Sequence, residues 1–141
     1  MKLSTNIITN NEQECIKEGL KFSRKISNGD TIVLEGDLGS GKTTFVKGIL
    51  KGLNYQYEVT SPTFTLINEY AADKKIIHID FYREKRPERW RLIGLDEYVY
   101  SMDCITIIEW GNLHPELLPE HVLKIKFAHM GENKRKIKIG I

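Results

Sequence analysis

The stretch Gly36-Asp37-Leu38-Gly39-Ser40-Gly41-Lys42-Thr43 decides how the rest of this chain is read. It satisfies G-x-x-x-x-G-K-[ST] at every fixed position, the pattern of a loop whose backbone N–H groups cradle phosphate. Its flanks agree with that reading. Thr31-Ile32-Val33-Leu34-Glu35 is short, β-branched and apolar, as a buried strand should be. After the loop, Phe45, Val46, Ile49, Leu50 and Leu53 recur at helical spacing. The loop therefore leads from a strand into a helix N-terminus, where unpaired N–H groups and the helix dipole attract anions. Contacts to a nucleoside triphosphate are expected from Asp37, Leu38, Gly39, Ser40, Gly41, Lys42, Thr43 and Thr44. Lys42 is placed to reach the β- and γ-phosphates, and the Thr43 hydroxyl to ligate Mg²⁺.

With 141 residues, 40% of them hydrophobic and 28% charged, the chain is expected to form one domain, 1–141, around a core that needs no staples. A net charge of +2 argues neither for nor against nucleic acid. The two cysteines, Cys15 and Cys104, have no metal-like spacing and read as reduced core residues. No apolar run has the length of a membrane span, and the opening Met-Lys-Leu-Ser-Thr-Asn lacks a signal-peptide core, so a cytoplasmic location is expected.

Outward from the loop, the pattern predicts a strand near 3–9 and a helix near 11–27. A capping box of Thr9 with Glu12 would start that helix, and Cys15, Gly19, Phe22 and Ile26 would share its buried face. Val59–Thr63 reads as an extended loop ahead of two strands, 64–70 and 75–80, joined by a hairpin at 71–74. Residues 87–100 read as one helix opening with Pro87. A buried strand, 104–108, ends at Glu109, and two further strands follow at 122–127 and 136–139. This alternation predicts an α/β fold: a P-loop NTPase-like three-layer sandwich with a mixed β-sheet.

A triphosphate site needs a carboxylate near Mg²⁺ at the C-terminal end of a strand beside the loop. Two candidates fit: Asp80, which closes Ile76-Ile77-His78-Ile79, and Glu109, which closes Ile105-Thr106-Ile107-Ile108. One would ligate the metal and the other orient or activate water, and the pattern leaves open which does which. Thr63 occupies the segment that senses the γ-phosphate in many such enzymes. Trp110 and His78 read as packed side chains. The run Arg83–Arg91 is basic but diluted by Glu84 and Glu88. It fits a solvated helix face, a contact for RNA or a partner protein, or arginines over the triphosphate.

Five segments together resemble the bacterial TsaE ATPases: Gly-Asp-Leu-Gly-Ser-Gly-Lys-Thr-Thr (36–44), Ser-Pro-Thr-Phe-Thr-Leu (61–66), His-Ile-Asp-Phe-Tyr-Arg (78–83), Gly-Leu-Asp-Glu-Tyr (94–98) and Ile-Glu-Trp (108–110). They follow in the family's order, and the likeness spans nearly the whole chain. The resemblance implies a small cytoplasmic ATPase using ATP and Mg²⁺. Its partner would be the TsaD–TsaB complex, which transfers a threonylcarbamoyl group to the adenosine beside the anticodon of tRNAs reading codons that begin with A. Contact with tRNA would be indirect, through that complex, and no membrane is involved. It further implies that Thr63 is the switch threonine, that Asp80 and Glu109 shape the metal and water site with Trp110 beside it, and that Gln13 lies near the adenine. The segment after Tyr82 is richer in arginine than the family pattern.

Rival readings are weaker. A regulatory GTPase lacks support, since there is no N-K-x-D motif and Arg83 stands where a D-x-x-G switch beginning at Asp80 needs glycine. A small phosphotransferase acting on a small molecule is the main alternative, with 83–91 as its lid. An adaptor that binds nucleotide without hydrolysis is the third.

Overall fold

The computed structural model describes residues 4–59 and 66–140. Seven strands form one sheet in the order β1-β7-β6-β2-β5-β4-β3. They are β1 (Ser4–Thr9), β2 (Thr31–Glu35), β3 (Ile67–Ala71), β4 (Lys75–Asp80), β5 (Ile105–Glu109), β6 (Leu123–His129) and β7 (Arg135–Gly140). The central strands β6, β2, β5 and β4 run parallel, while β1, β7 and β3 pair antiparallel with their neighbours. The α/β fold with a mixed sheet is as the sequence predicts.

Two apolar layers sandwich the sheet. On one face, Ile32, Leu34, Ile76, Ile105, Ile107, Ile125, Phe127 and Ile137 pack under α1 (Glu12–Phe22) and α2 (Lys42–Gly52). On the other, Ile77, Ile79 and Ile108 meet Phe81, Trp90, Leu95, Val99 and Leu117, carried by the short helices α3 (Pro87–Leu92) and α4 (Leu95–Val99) and the turns around them. Because side chains alternate along a strand, this division fixes where Asp80 and Glu109 point. Ile76, His78 and Asp80 share the α1/α2 face of β4, and Ile105, Ile107 and Glu109 share that face of β5.

Helices α1 and α2 cross almost backbone to backbone. A Cβ on Gly48 would stand 2.1 Å from the Ile16 carbonyl oxygen, so only glycine allows the approach. Phe22, Phe45 and Phe127 then pack as a chain of tilted and edge-on rings with centroids 5.4–5.6 Å apart.

Some local expectations need correction. Helix α1 is capped by Asn11, whose side chain accepts the Glu14 N–H at 2.8 Å, while Glu14 reaches back to the Asn10 N–H at 3.1 Å. Thr9 cannot cap because it is still paired with Arg135 in the β-ladder. The helix ends at Phe22 rather than near 27, although Ile26 beyond it is buried as expected. The helix expected over 87–100 is two, broken at Gly94, whose φ of +89° leaves the helical region. The hairpin of β3 and β4 is antiparallel as predicted. The start of its first strand, Phe64 and Thr65, lies outside the described residues, as does most of the predicted loop Val59–Thr63.

Candidate functional site

At the C-terminal ends of β2, β4 and β5 lies a cleft of about 380 Å³. Its walls come from the loop after β2 (Leu38, Gly39 and Gly41), the start of α2 (Lys42, Thr43 and Thr44), the two strand-end acids, and Trp110. The β2–α2 loop is built as its sequence demands. Gly41, with φ +106°, turns the chain directly into α2, leaving the first N–H groups of the helix without a side-chain cap.

Register brings the two carboxylates together. Asp80 and Glu109 are direct partners across the parallel β4–β5 ladder, and Glu109 is in turn the partner of Leu34 on β2. Asp80 is 6% and Glu109 3% exposed. Burial, and then the facing Glu109, push the Asp80 carboxyl above its ordinary range. The Tyr82 N–H at 3.0 Å and Arg83, whose Nε lies 3.6 Å from Oδ2, act in the opposite direction. The Glu109 carboxylate lies 2.6 Å from Nε2 of His78, a fully buried side chain.

Lys42 is the cation at the start of α2. Its ammonium donates to the Gly36 carbonyl and stands 3.9 Å from the centroid of the Trp110 ring. Burial lowers its pKa, while Glu109, Asp80 and Asp37 hold it up. Trp110 takes this place through an unusual backbone. With φ +62° it is left-handed, a conformation costly for a side chain of this size, and its N–H donates to the Leu34 carbonyl at 3.1 Å. The Tyr82 ring lies against the indole, with centroids 5.2 Å apart.

The remaining wall joins distant parts of the sequence. Asn11, which caps α1, and Glu12 and Cys15 of α1 line it together with Arg83, Asn133 and Arg135. Arg135 donates from Nη2 to the Gly39 carbonyl at 3.1 Å, tying the start of β7 to the loop. The Cys15 thiol points at the Gly41 carbonyl, 3.7 Å away, and burial pushes its pKa up to about 11. Both cysteines are free and buried.

The donor set suits a magnesium–triphosphate pair. A buried ammonium and helix N–H groups could take phosphate, while a hydroxyl and two carboxylates could offer the hard oxygens Mg²⁺ takes. Among the described residues no group of three or more His, Cys, Asp or Glu side chains is gathered for a metal alone. Mg²⁺ bound through one or two carboxylates and a nucleotide's phosphates needs no such cage.

Comparison with known proteins identifies the family. Residues 9–137 match the family model described as threonylcarbamoyl adenosine biosynthesis protein TsaE. The chain belongs to the TsaE family. It is 36% identical over 133 residues to the tRNA threonylcarbamoyladenosine biosynthesis protein TsaE of Treponema pallidum, covering 94% of this chain and 98% of that one. Over 110 residues it is 42% identical to the Bacillus subtilis TsaE, covering 77% and 68%. The Aquifex aeolicus TsaE is 36% identical over 142 residues, covering 99% and 98%. A crystal structure of Bacillus subtilis YdiB superposes with a TM-score of 0.85 at 33% identity, covering 99% of this chain and 86% of that one.

Of the site residues expected for this TsaE chain, the structure gathers Leu38, Gly39, Gly41, Lys42, Thr43, Thr44, Asp80, Glu109 and Trp110 around one cleft. Asp37 and Ser40 belong to the same loop but do not line the cleft: Asp37 is exposed, and Ser40 is buried beneath it. Gln13 is exposed on α1, and its neighbours Asn11, Glu12 and Cys15 face the cleft instead. Thr63 lies outside the described residues. Sequence reading missed Asn11, Glu12, Cys15, Asn133 and Arg135 as cleft residues, because nothing local marks residues brought together from opposite ends of a chain. His78 is packed, as expected, but against Glu109.

Proposed function

We propose that this chain binds and hydrolyses ATP with Mg²⁺ in tRNA threonylcarbamoyladenosine biosynthesis, as the partner of a TsaD–TsaB complex. The observation that carries the ATPase reading is the juxtaposition of Lys42 and Thr43 with two buried carboxylates, at the ends of three adjoining parallel strands. The pathway is supported by the names of the relatives, and the TsaD–TsaB partnership by the family resemblance. On the same resemblance, the modified base is the adenosine beside the anticodon of tRNAs reading codons that begin with A, with tRNA contacted through the complex. A cytoplasmic location accords with this role. Among the described residues, no helix is long and apolar enough to cross a membrane.

On this reading the triphosphate lies along the loop with its negative charge at the α2 N-terminus. Bound Mg²⁺, which Thr43 and the strand-end carboxylates would hold, would neutralise phosphate charge. Lys42 exchanges its bond to the Gly36 carbonyl for a phosphate oxygen, with the Trp110 ring beneath limiting its freedom. Asp80 and Glu109 divide metal ligation and the orientation of an in-line water between them. Arg83 is held near the phosphates by Asp80, and Thr63 serves as the switch. Turnover by the chain alone is slow, because the productive arrangement is completed by the partner.

A small-molecule phosphotransferase would need an acceptor site beside the γ-phosphate. Another hollow formed by the described residues, about 550 Å³ and lined by Lys47, Lys51, Tyr55 and Tyr57 among others, lies at the far end of α2. An eleven-residue helix is about 16.5 Å long, too far for direct transfer. The deciding experiment is phosphate release from ATP by the chain alone and with TsaD–TsaB from the same organism, with Lys42→Ala as control. Marked stimulation by the pair is expected. Neither stimulation nor complex formation would overturn the proposed role.

A further inference from the structure

We propose that His78 is a positioning residue for Glu109. Its imidazole holds one carboxylate oxygen inside the sheet, so that the other is presented to the phosphate cleft. The inference rests on the ATPase reading above and adds to it a residue outside the cleft wall.

Strand geometry builds the pair. His78 on β4 stands opposite Ile107 on β5, and Glu109 is two residues further along on the same face. That diagonal spacing lets a long side chain on one strand meet a ring on the next. Nε2 of His78 lies 2.6 Å from Oε2 of Glu109, and the two side chains are 0% and 5% exposed. With a proton on Nε2 the imidazole donates, and an ionised carboxylate can only accept. Such a contact, out of water, fixes the rotation of the carboxylate about its own axis.

The neighbouring charges make no equivalent contact. Lys42 is engaged by the Gly36 carbonyl and the Trp110 ring, and Arg83 stands beside Asp80. Among the described residues His78 is the hydrogen-bond partner found for the Glu109 side chain.

The choice of histidine is informative. His78 sits between Ile76 and Asp80 on a face whose interior is otherwise mainly apolar, flanked by strands on both sides and by the Tyr70 ring at 6.2 Å. An aliphatic side chain would fill that position at less cost, since Nδ1 has no hydrogen-bond partner among the described residues. A group required only for packing has no need of the polar edge. A group that aims a buried carboxylate does.

The test uses the full chain, with TsaD–TsaB where basal turnover is too slow to measure. His78→Leu is expected to lower kcat by about 10–100-fold, the usual cost of losing an orienting partner, while KM for ATP and affinity for a fluorescent ATP analogue stay unchanged. His78→Gln, whose amide can donate from near the Nε2 position, should recover most of the rate. On a Glu109→Gln background, His78→Leu should add no further loss. Wild-type kcat in His78→Leu would overturn the proposal. So would a rise in KM alone, or an equal loss on the Glu109→Gln background.

Should the leucine variant not fold, His78→Gln and the imidazole NMR signals of the wild type decide. The Nε2-bound proton is expected to shift in Glu109→Gln, and an unmoved signal would overturn the contact. Wild-type protein that hydrolyses no ATP, alone or with the pair, would instead remove the ATPase reading, and this role with it. Normal hydrolysis in His78→Leu removes the role only.

Discussion

The two halves of the sheet are built for different purposes. In β2, β5 and β4, strands are covered on both faces, and Ile32, Val33, Leu34, Ile77, Ile79, Ile107 and Ile108 are completely buried. In β6 and β7, one face packs under the helices through Ile125, Phe127 and Ile137. The other carries Lys124, Lys126, Lys136 and Lys138 to solvent. The first half can hold acids and a lysine out of water beside a phosphate loop, where charges act most strongly. The second supplies shape and, through Arg135, a brace for the loop. Chemistry is concentrated where burial is most complete, and it is stabilising packing there that makes buried polar groups tolerable.

Each substitution that follows separates the halves. Lys42→Ala should weaken ATP binding by about 10–100-fold, the worth of a charge-assisted hydrogen bond, in a titration with a fluorescent ATP analogue. Unchanged affinity would strip the loop of its role. Ile108→Ala removes a side chain buried on the α3/α4 face and should cost about 2–5 kcal/mol in denaturant unfolding. A loss below that range would mean the doubly covered half is less tightly packed than its burial implies.

Asp80 sharpens the contrast through pH. Its folded-state pKa lies above the ordinary 3.8, so its ionised form opposes folding. Stability from this group is greatest below the unfolded pKa and falls as pH rises through the folded one. Asp80→Asn should therefore raise the melting temperature of nucleotide-free, chelator-treated protein at neutral pH, and the gain should vanish in acid. A gain that persists in acid would point to a cause other than charge burial. Smallest is Lys138→Gln. Lys138 directly faces Lys126, so relief of like charge should stabilise by about 0.2–0.5 kcal/mol at most, with ATP binding untouched. An effect on ATP binding would erase the functional boundary between the halves.

This division was partly legible in the sequence. Mainly apolar runs at Ile32–Leu34, Ile76–Ile79 (broken by His78) and Ile105–Ile108 (broken by Thr106) mark strands buried on both faces, whereas Lys124-Ile125-Lys126-Phe127 and Lys136-Ile137-Lys138-Ile139 alternate as a half-covered sheet does. The phosphate loop and both acids followed from local pattern. The His78–Glu109 contact did not, because it depends on β5 lying beside β4 in a particular register, a fact of strand order. The start of α1 was placed well, but its cap was misassigned because Thr9, a good cap by type, is committed to the β1–β7 ladder. Arg135 escaped notice because its partner, Gly39, is 96 residues away.

The central claim is that the carboxylates at the ends of β4 and β5 serve hydrolysis of a nucleotide held by the loop. Phosphate release by Glu109→Gln at saturating ATP and Mg²⁺, with binding titrated in parallel, tests it most directly. The account predicts ATP affinity like the wild type and a rate lower by about 100-fold or more, the scale of a lost general base or water-orienting group. Undiminished phosphate release from a variant that binds ATP normally would contradict it.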